Sequence, residues 1–202
     1  MTLDDLREEA YALIEPLADL AEKSGISPNQ LSVLSLIFAA LAAAFYILSA
    51  SIAKMLYAAA LMVLLNAIFD AADGALARRI EKANPKGDFL DHVIDRYADM
   101  FFLGGIIFAG YAPWPVGLLA VIGVLLTSYI GTQAQALQLG RYYGGIMGRA
   151  DRLTLIFLAT IGNAVYSNDL AGLSMLGWVL VATMISSHIT ALQRFAYIWK
   201  RL

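Results

Sequence analysis

Four aspartates, Asp70, Asp73, Asp91 and Asp95, stand close together in a chain that is otherwise mostly hydrocarbon. Their stretch, Asn66 to Asp95, reads NAIFDAADGALARRIEKANPKGDFLDHVID. Asp70 and Asp73 are three residues apart and Asp91 and Asp95 four, so on helices each pair shares one face, about 5–6 Å apart. Arg78, Arg79, Lys82 and Lys86 lie between the pairs, with a turn signal at Asn84-Pro85-Lys86-Gly87. Two helices joined there would bring all four carboxylates to one point. Hard divalent cations such as Mg2+ take oxygen ligands and sit between carboxylates and substrate phosphates. Two such ions side by side make a site for displacement at phosphorus.

The stretch also follows a pattern: aspartate, two residues, aspartate-glycine, two residues, alanine-arginine, eight residues, glycine, three, aspartate, three, aspartate. Asp70, Asp73, Gly74, Ala77, Arg78, Gly87, Asp91 and Asp95 meet every term. The pattern resembles that of the CDP-alcohol phosphotransferases, membrane enzymes of phospholipid synthesis, and the resemblance extends over about residues 27–200. It implies transfer of a lipid phosphate group from a CDP-linked lipid, CDP-archaeol or CDP-diacylglycerol, to a hydroxyl acceptor, with release of CMP. It also implies two Mg2+ ions per site (Mn2+ being the substitute) on Asp70, Asp73, Asp91 and Asp95, with Asp95 as general base. Gly74 and Gly87 would line the pocket for the cytidine and its diphosphate, with Ala77 and Arg78 beside them. Helical Gly74 costs about 1 kcal/mol relative to alanine; either an approaching ligand or close helix packing accounts for it. Asn66, one turn before Asp70, is read either as a contact to the nucleotide or a site carboxylate, or as an interhelical hydrogen bond.

The elements that carry these residues are read as membrane helices. Of 202 residues, 60% are hydrophobic and only 15% charged, with a mean hydropathy of +0.68. A soluble domain of this size could not bury so much apolar surface. There is no cysteine, hence no disulfide framework or thiolate chemistry. The N-terminus has neither the basic start nor the short apolar core of a signal peptide. Residues 3–23 space leucines and alanines by three and four among acids, which predicts an amphipathic helix in the membrane interface or against the bundle. Ser27-Pro28-Asn29-Gln30 reads as a helix start. Six apolar helices follow, at about 31–50, 54–79, 89–110, 115–138, 152–166 and 171–197, most near the ~20 residues that cross a bilayer. The expected fold is therefore all-α and integral to the membrane: an amphipathic segment over 1–26 and a six-helix domain over 27–202.

Charge orients it. In this arrangement thirteen of the fourteen basic residues fall on one side and only Lys54 on the other. The positive-inside rule places both termini and the acidic site at the cytoplasmic face. His92 and His188 read as packing residues, since His92 points about 100° away from Asp91. Gly105 and Ala109 form a small-xxx-small pair, compatible with a homodimer and equally with packing inside a bundle.

The acceptor is read from a second basic group, Arg141, Arg149, Arg152 and Arg194. Arg152 and Arg194 lie inside apolar helices and should face the bundle, where paired arginines suit a phosphate. The segment GRADRL resembles that of phosphatidylinositol-phosphate and archaetidylinositol-phosphate synthases, which implies inositol 1-phosphate as acceptor; glycerol 3-phosphate or another polar alcohol is the alternative. Those enzymes often carry Ser-Tyr followed two positions on by lysine, whereas this chain has Ser128-Tyr129-Ile130-Gly131. A basic contact is therefore missing or supplied elsewhere. Partners on this reading are the CDP-lipid, a small phosphorylated polyol and membrane lipid, with no nucleic acid. A polyprenyl-type transferase would spread its aspartates over more helices. A cation carrier would need a polar path, and the opposite helix halves hold no ionisable residue except Lys54 and Asp169.

Overall fold

Ser27 starts the first long helix. Its Oγ accepts from Gln30 N while the Gln30 side chain accepts from Ser27 N, and Pro28 occupies the first turn where its missing N–H costs nothing. The computed structural model describes residues 14–80, 85–140, 142 and 144–202. Among them are α1 (residues 14–23), α2 (Pro28–Ser49), α3 (Met55–Arg79), α4 (Pro85–Phe108), α5 (Trp114–Ala136), α6 (Arg149–Val165) and α7 (Met175–Trp199), and no strands. Arg7, Lys82, Asn84, Arg141 and the first half of the amphipathic stretch lie outside the described residues.

The helices match the sequence reading with three physical differences. α4 begins at Pro85, inside the expected turn, because proline is well suited to a first helical turn. Gly87 and Asp88 consequently belong to that turn. α7 starts at Met175, later than expected: Leu170 and Leu173 close a turn through Ala171 (φ 50°) and Gly172 (φ 85°), and Ser174 then caps the helix by accepting from Gly177 N. Finally, α2, α3, α5 and α7 are the four described helices long and apolar enough to cross a membrane. α4 carries Lys86, Asp88, Asp91, Asp95 and Arg96 in its first half and Asp99 just beyond it, and α6 has only 17 residues. These apolar helices make this a membrane protein. Their outward faces carry exposed Val33, Ile37, Leu61, Leu126, Ile185 and Leu192, as a lipid-facing surface requires.

α2 packs against α3 and α4, and α5 against α7; α6 joins the groups through α3 and α7. Small residues permit this. A Cβ on Gly105 would lie 2.7 Å from Ala43 Cα, so this glycine of α4 packs directly on α2 inside the bundle. Gly105→Ala should therefore destabilise the protein by about 1–3 kcal/mol through overpacking, readable as a lowered melting temperature in detergent; an unchanged melt would show that α2 and α4 can separate freely. Buried Tyr46 and Thr160 share a 2.6 Å hydrogen bond that ties α2 to α6. The described half of the amphipathic stretch docks on the bundle: Ala18 and Ala21 are buried with Leu31, Ala72 and Leu76. Arg79 adds ion pairs to Asp19 and Glu22 at 3.0 and 3.1 Å. The Asp19 carboxyl is held below its ordinary range, chiefly by its hydrogen bond from Lys23.

Candidate active site

Asp70 comes from α3, Asp91 and Asp95 from α4, and each offers a carboxylate oxygen within 4.8 Å of the others. The i, i+4 spacing on α4 works as the sequence implies. Asp73 departs from the expected four-carboxylate cluster. It is 6% exposed and accepts a 2.5 Å hydrogen bond from Ser32 Oγ on α2.

The three gathered carboxylates suit a cation. Arg149 Nη1, from the start of α6, lies 2.7 Å from Asp70 Oδ2 and 2.8 Å from Asp95 Oδ1. Oδ1 of Asp70 is buried without a hydrogen-bond partner among the described residues, and Oδ1 of Asp95 has only the ion-pair contact from Arg149 Nη1. Buried carboxylate oxygens left this way are costly, and oxygens converging on a point are what a hard divalent ion requires. Asp70, Asp91 and Asp95 are the residues placed to hold it. His92 and His188 stand apart from this group: His92 Nδ1 lies 2.5 Å from Asp88 O and His188 Nε2 3.1 Å from Leu119 O.

Two cavities flank the acids. One, of about 610 Å³, is lined by Asp73, Gly74, Ala77, Arg78, Gly87 and Asp91, together with Ser27, Pro28, Asn29 and Ser32 from the start of α2. Every pattern residue expected around the nucleotide is there. Asn66 is not: it is fully buried and donates through Nδ2 to Ser35 O at 2.8 Å, so it is an interhelical bond between α3 and α2. Gly74 is not a packing glycine either, since a Cβ there would meet only Arg78 Nη1, at 3.4 Å. Gly74→Ala should accordingly fold at least as well as the parent, helix propensity favouring it by up to about 1 kcal/mol. If this cavity takes the CDP-lipid that the resemblance implies, the substitution should raise the KM for that lipid and leave that for the acceptor near its original value. An unchanged CDP-lipid KM would mean that nothing approaches this backbone.

The second cavity, of about 300 Å³, is lined by Asp95, Arg96, Thr127, Ser128, Gly131, Tyr142, Arg149, Arg152 and Arg194, among others. Three of the four expected arginines therefore converge beside Asp95; Arg141 lies outside the described residues. A Cβ on Gly131 would lie 2.7 Å from Arg194 Nη1. Arg194 occupies the space that a side chain at 131 would take, held by bonds to Thr127 O and Gly144 O, both 2.9 Å. A guanidinium thus stands beside position 131, where this chain has no basic side chain of its own.

A family model matches most of the chain. CDP-alcohol phosphatidyltransferase is the description of the family whose model covers residues 25–189. The chain belongs to that family. It is an enzyme of phospholipid synthesis, a CDP-alcohol phosphotransferase. Archaetidylinositol phosphate synthase of Pyrococcus horikoshii is 34% identical over 201 residues, covering 99% of this chain and 98% of its own. Phosphatidylinositol phosphate synthase of Mycobacterium tuberculosis, solved with manganese and citrate, has the same fold at a TM-score of 0.78 and 23% identity, over 92% of this chain and 88% of its own. The same protein with CDP-DAG bound superposes at 0.74 and 23% identity, over 93% and 94%.

Asp99 was missed. It is 2% exposed and accepts from Arg152 Nη2 at 2.6 Å, with Arg96 Nε 3.8 Å away. It continues the four-residue ladder of Asp91 and Asp95 by one more step, a signal present in the sequence. Arg96, whose Nη1 donates to Ser128 Oγ and whose Nη2 lies 3.2 Å from Asp95 Oδ2, also lines the smaller cavity.

Proposed function

We propose that this enzyme transfers the lipid-bearing phosphate of a CDP-linked lipid to a hydroxyl of inositol 1-phosphate and releases CMP. The observation that carries the proposal is the position of the three acids between the two cavities: Asp91 lines the larger and Asp95 the smaller. In this reading the larger cavity receives the cytidine diphosphate, with Gly74 admitting it closely, Arg78 beside it and Asp73 at the wall. The smaller receives the acceptor, its phosphate held by Arg152 and Arg194, with Arg149 and Arg141 contributing. Asp99 holds Arg152 in place through their buried pair.

Two Mg2+ ions, replaceable by Mn2+, would be held by Asp70, Asp91 and Asp95 with Asp73 towards the nucleotide, and would neutralise the diphosphate as charge shifts onto CMP. Asp95 takes the proton from the acceptor hydroxyl as that oxygen bonds to the lipid-side phosphorus. The bond from that phosphorus to the bridging oxygen breaks, and CMP carries the electron pair away. The relatives' names support inositol phosphate as acceptor, as do the three arginines around one small cavity. The reading extends to six membrane-crossing helices, with both termini and the site at the cytoplasmic face, and to a homodimer. Residues 14–26, the described part of the N-terminal segment, would cap the cytoplasmic end of a catalytic domain over 27–202.

CMP release from a CDP-lipid, measured against inositol 1-phosphate, glycerol 3-phosphate, serine and inositol, tests the acceptor. Inositol 1-phosphate should be strongly preferred, and Arg152→Ala should raise its KM by roughly 10-fold or more, since hydrogen bonds to charged groups contribute about 1.5–3 kcal/mol, with little change for the CDP-lipid. Preference for serine or free inositol would overturn the phosphate pocket. Equal KM changes for both substrates would make Arg152 a structural residue.

A further inference from the structure

Arg149 is placed to touch both halves of the site. It lines the smaller cavity, yet its Nη1 lies between Asp70 and Asp95. Of those two contacts, only the one to Asp70 has hydrogen-bond geometry. Nε and Nη2 are buried without partners among the described residues. A guanidinium pairs best with a carboxylate as a fork, through two parallel N–H···O bonds. Here one nitrogen serves two carboxylates as a point charge would, and the rest of the fork goes unused.

We infer that Arg149 is an exchangeable cation, competing with the divalent ion for Asp70 and Asp95 and, when displaced, turning its unpaired N–H groups to the acceptor's phosphate. The inference rests on the metal-centre reading above and adds its regulation. The charge argument is direct. A buried guanidinium that loses two carboxylates needs another anion, and the smaller cavity is where a phosphate would supply it. The divalent ion and the acceptor phosphate therefore assist each other: each relieves the contact that opposes the other. Coupling of this kind is reciprocal by thermodynamic necessity. It would load the acceptor arginines only when the carboxylates hold their ions.

Mn2+ binding to the purified detergent-solubilised protein, without CDP-lipid, tests this independently of turnover; free Mn2+ is read by electron paramagnetic resonance. Arg149→Gln should bind Mn2+ at least about 5-fold more tightly than the parent, the lower end of typical coupling. Arg194→Gln removes the same charge from the same cavity and should gain much less. Inositol 1-phosphate should tighten Mn2+ binding to the parent by a similar factor and to Arg149→Gln hardly at all. Arg149→Met keeps the aliphatic stem and serves as a second variant should the glutamine protein fail to elute as a single species. An affinity no tighter in either Arg149 variant overturns the inference, as does an equal gain in Arg194→Gln. Mn2+ bound equally by parent and variants leaves the metal centre standing and removes only the exchange. Absence of Mn2+ binding in all of them removes the metal centre itself, and the inference with it.

Discussion

Asp70→Asn is expected to abolish turnover while the protein remains folded in detergent. Asp70 supplies α3's oxygen to the three-acid group, and no other α3 residue contributes to it. Asparagine keeps the shape and one carbonyl oxygen but removes the charge that a hard cation needs. Loss of partners one shell beyond a metal ligand already costs roughly 10–100-fold, so loss of a ligand should cost at least about 100-fold. Folding should survive, because Asp70 is half-buried and its partner Arg149 also contacts Asp95. Wild-type activity in this variant would end the metal-centre reading; an unfolded protein would make Asp70 a structural residue.

Asp95→Asn should lose turnover by about 10²–10⁴-fold, the range typical of general-base catalysis, while the KM for CDP-lipid stays close to the parent's. The split follows from position. Asp95 lines the smaller cavity and not the larger one, whose acids are Asp73, Asp88 and Asp91. Arg96 Nη2 lies 3.2 Å from Asp95 Oδ2, and Arg149 is near Oδ1, so the carboxylate is oriented from two sides. A loss confined to the transition state lowers kcat and kcat/KM together. If CDP-lipid binding collapses with the rate and excess Mg2+ restores both, Asp95 is chiefly a ligand and the base lies elsewhere.

What could be read before any coordinates was whatever the helical period fixes on one chain segment. Asp91 and Asp95 share a face because they are four apart, and Arg152 and Arg194 face inward because an apolar helix cannot turn a charge to lipid. Ser27 and Pro28 announced α2 through local backbone chemistry alone. Contacts between segments were less legible. Ser32 bonds Asp73 across forty-one positions, and a lone serine in an apolar helix carries no pattern of its own. Asn66 lay one turn from Asp70, yet its partner is a carbonyl on α2. The start of α4 was misplaced because Asn-Pro-Lys-Gly is turn chemistry locally, whereas proline in a first helical turn is equally favourable and the packing of α4 decides. Asp99 was legible and overlooked. Arg149's bridge was not, since nothing in GRADRL says which carboxylate it will meet.

Cation-dependent CMP release is the measurement closest to the central claim, transfer at a metal site held by the aspartates between two cavities. Purified protein in lipid or detergent is given a CDP-lipid and inositol 1-phosphate, treated with excess chelator, and then resupplied with Mg2+ or Mn2+. The account predicts that CMP release stops with chelator, returns with either ion, and requires the acceptor throughout. Release that continues undiminished in excess chelator, or that ion addition cannot restore in protein that is still folded, would contradict it.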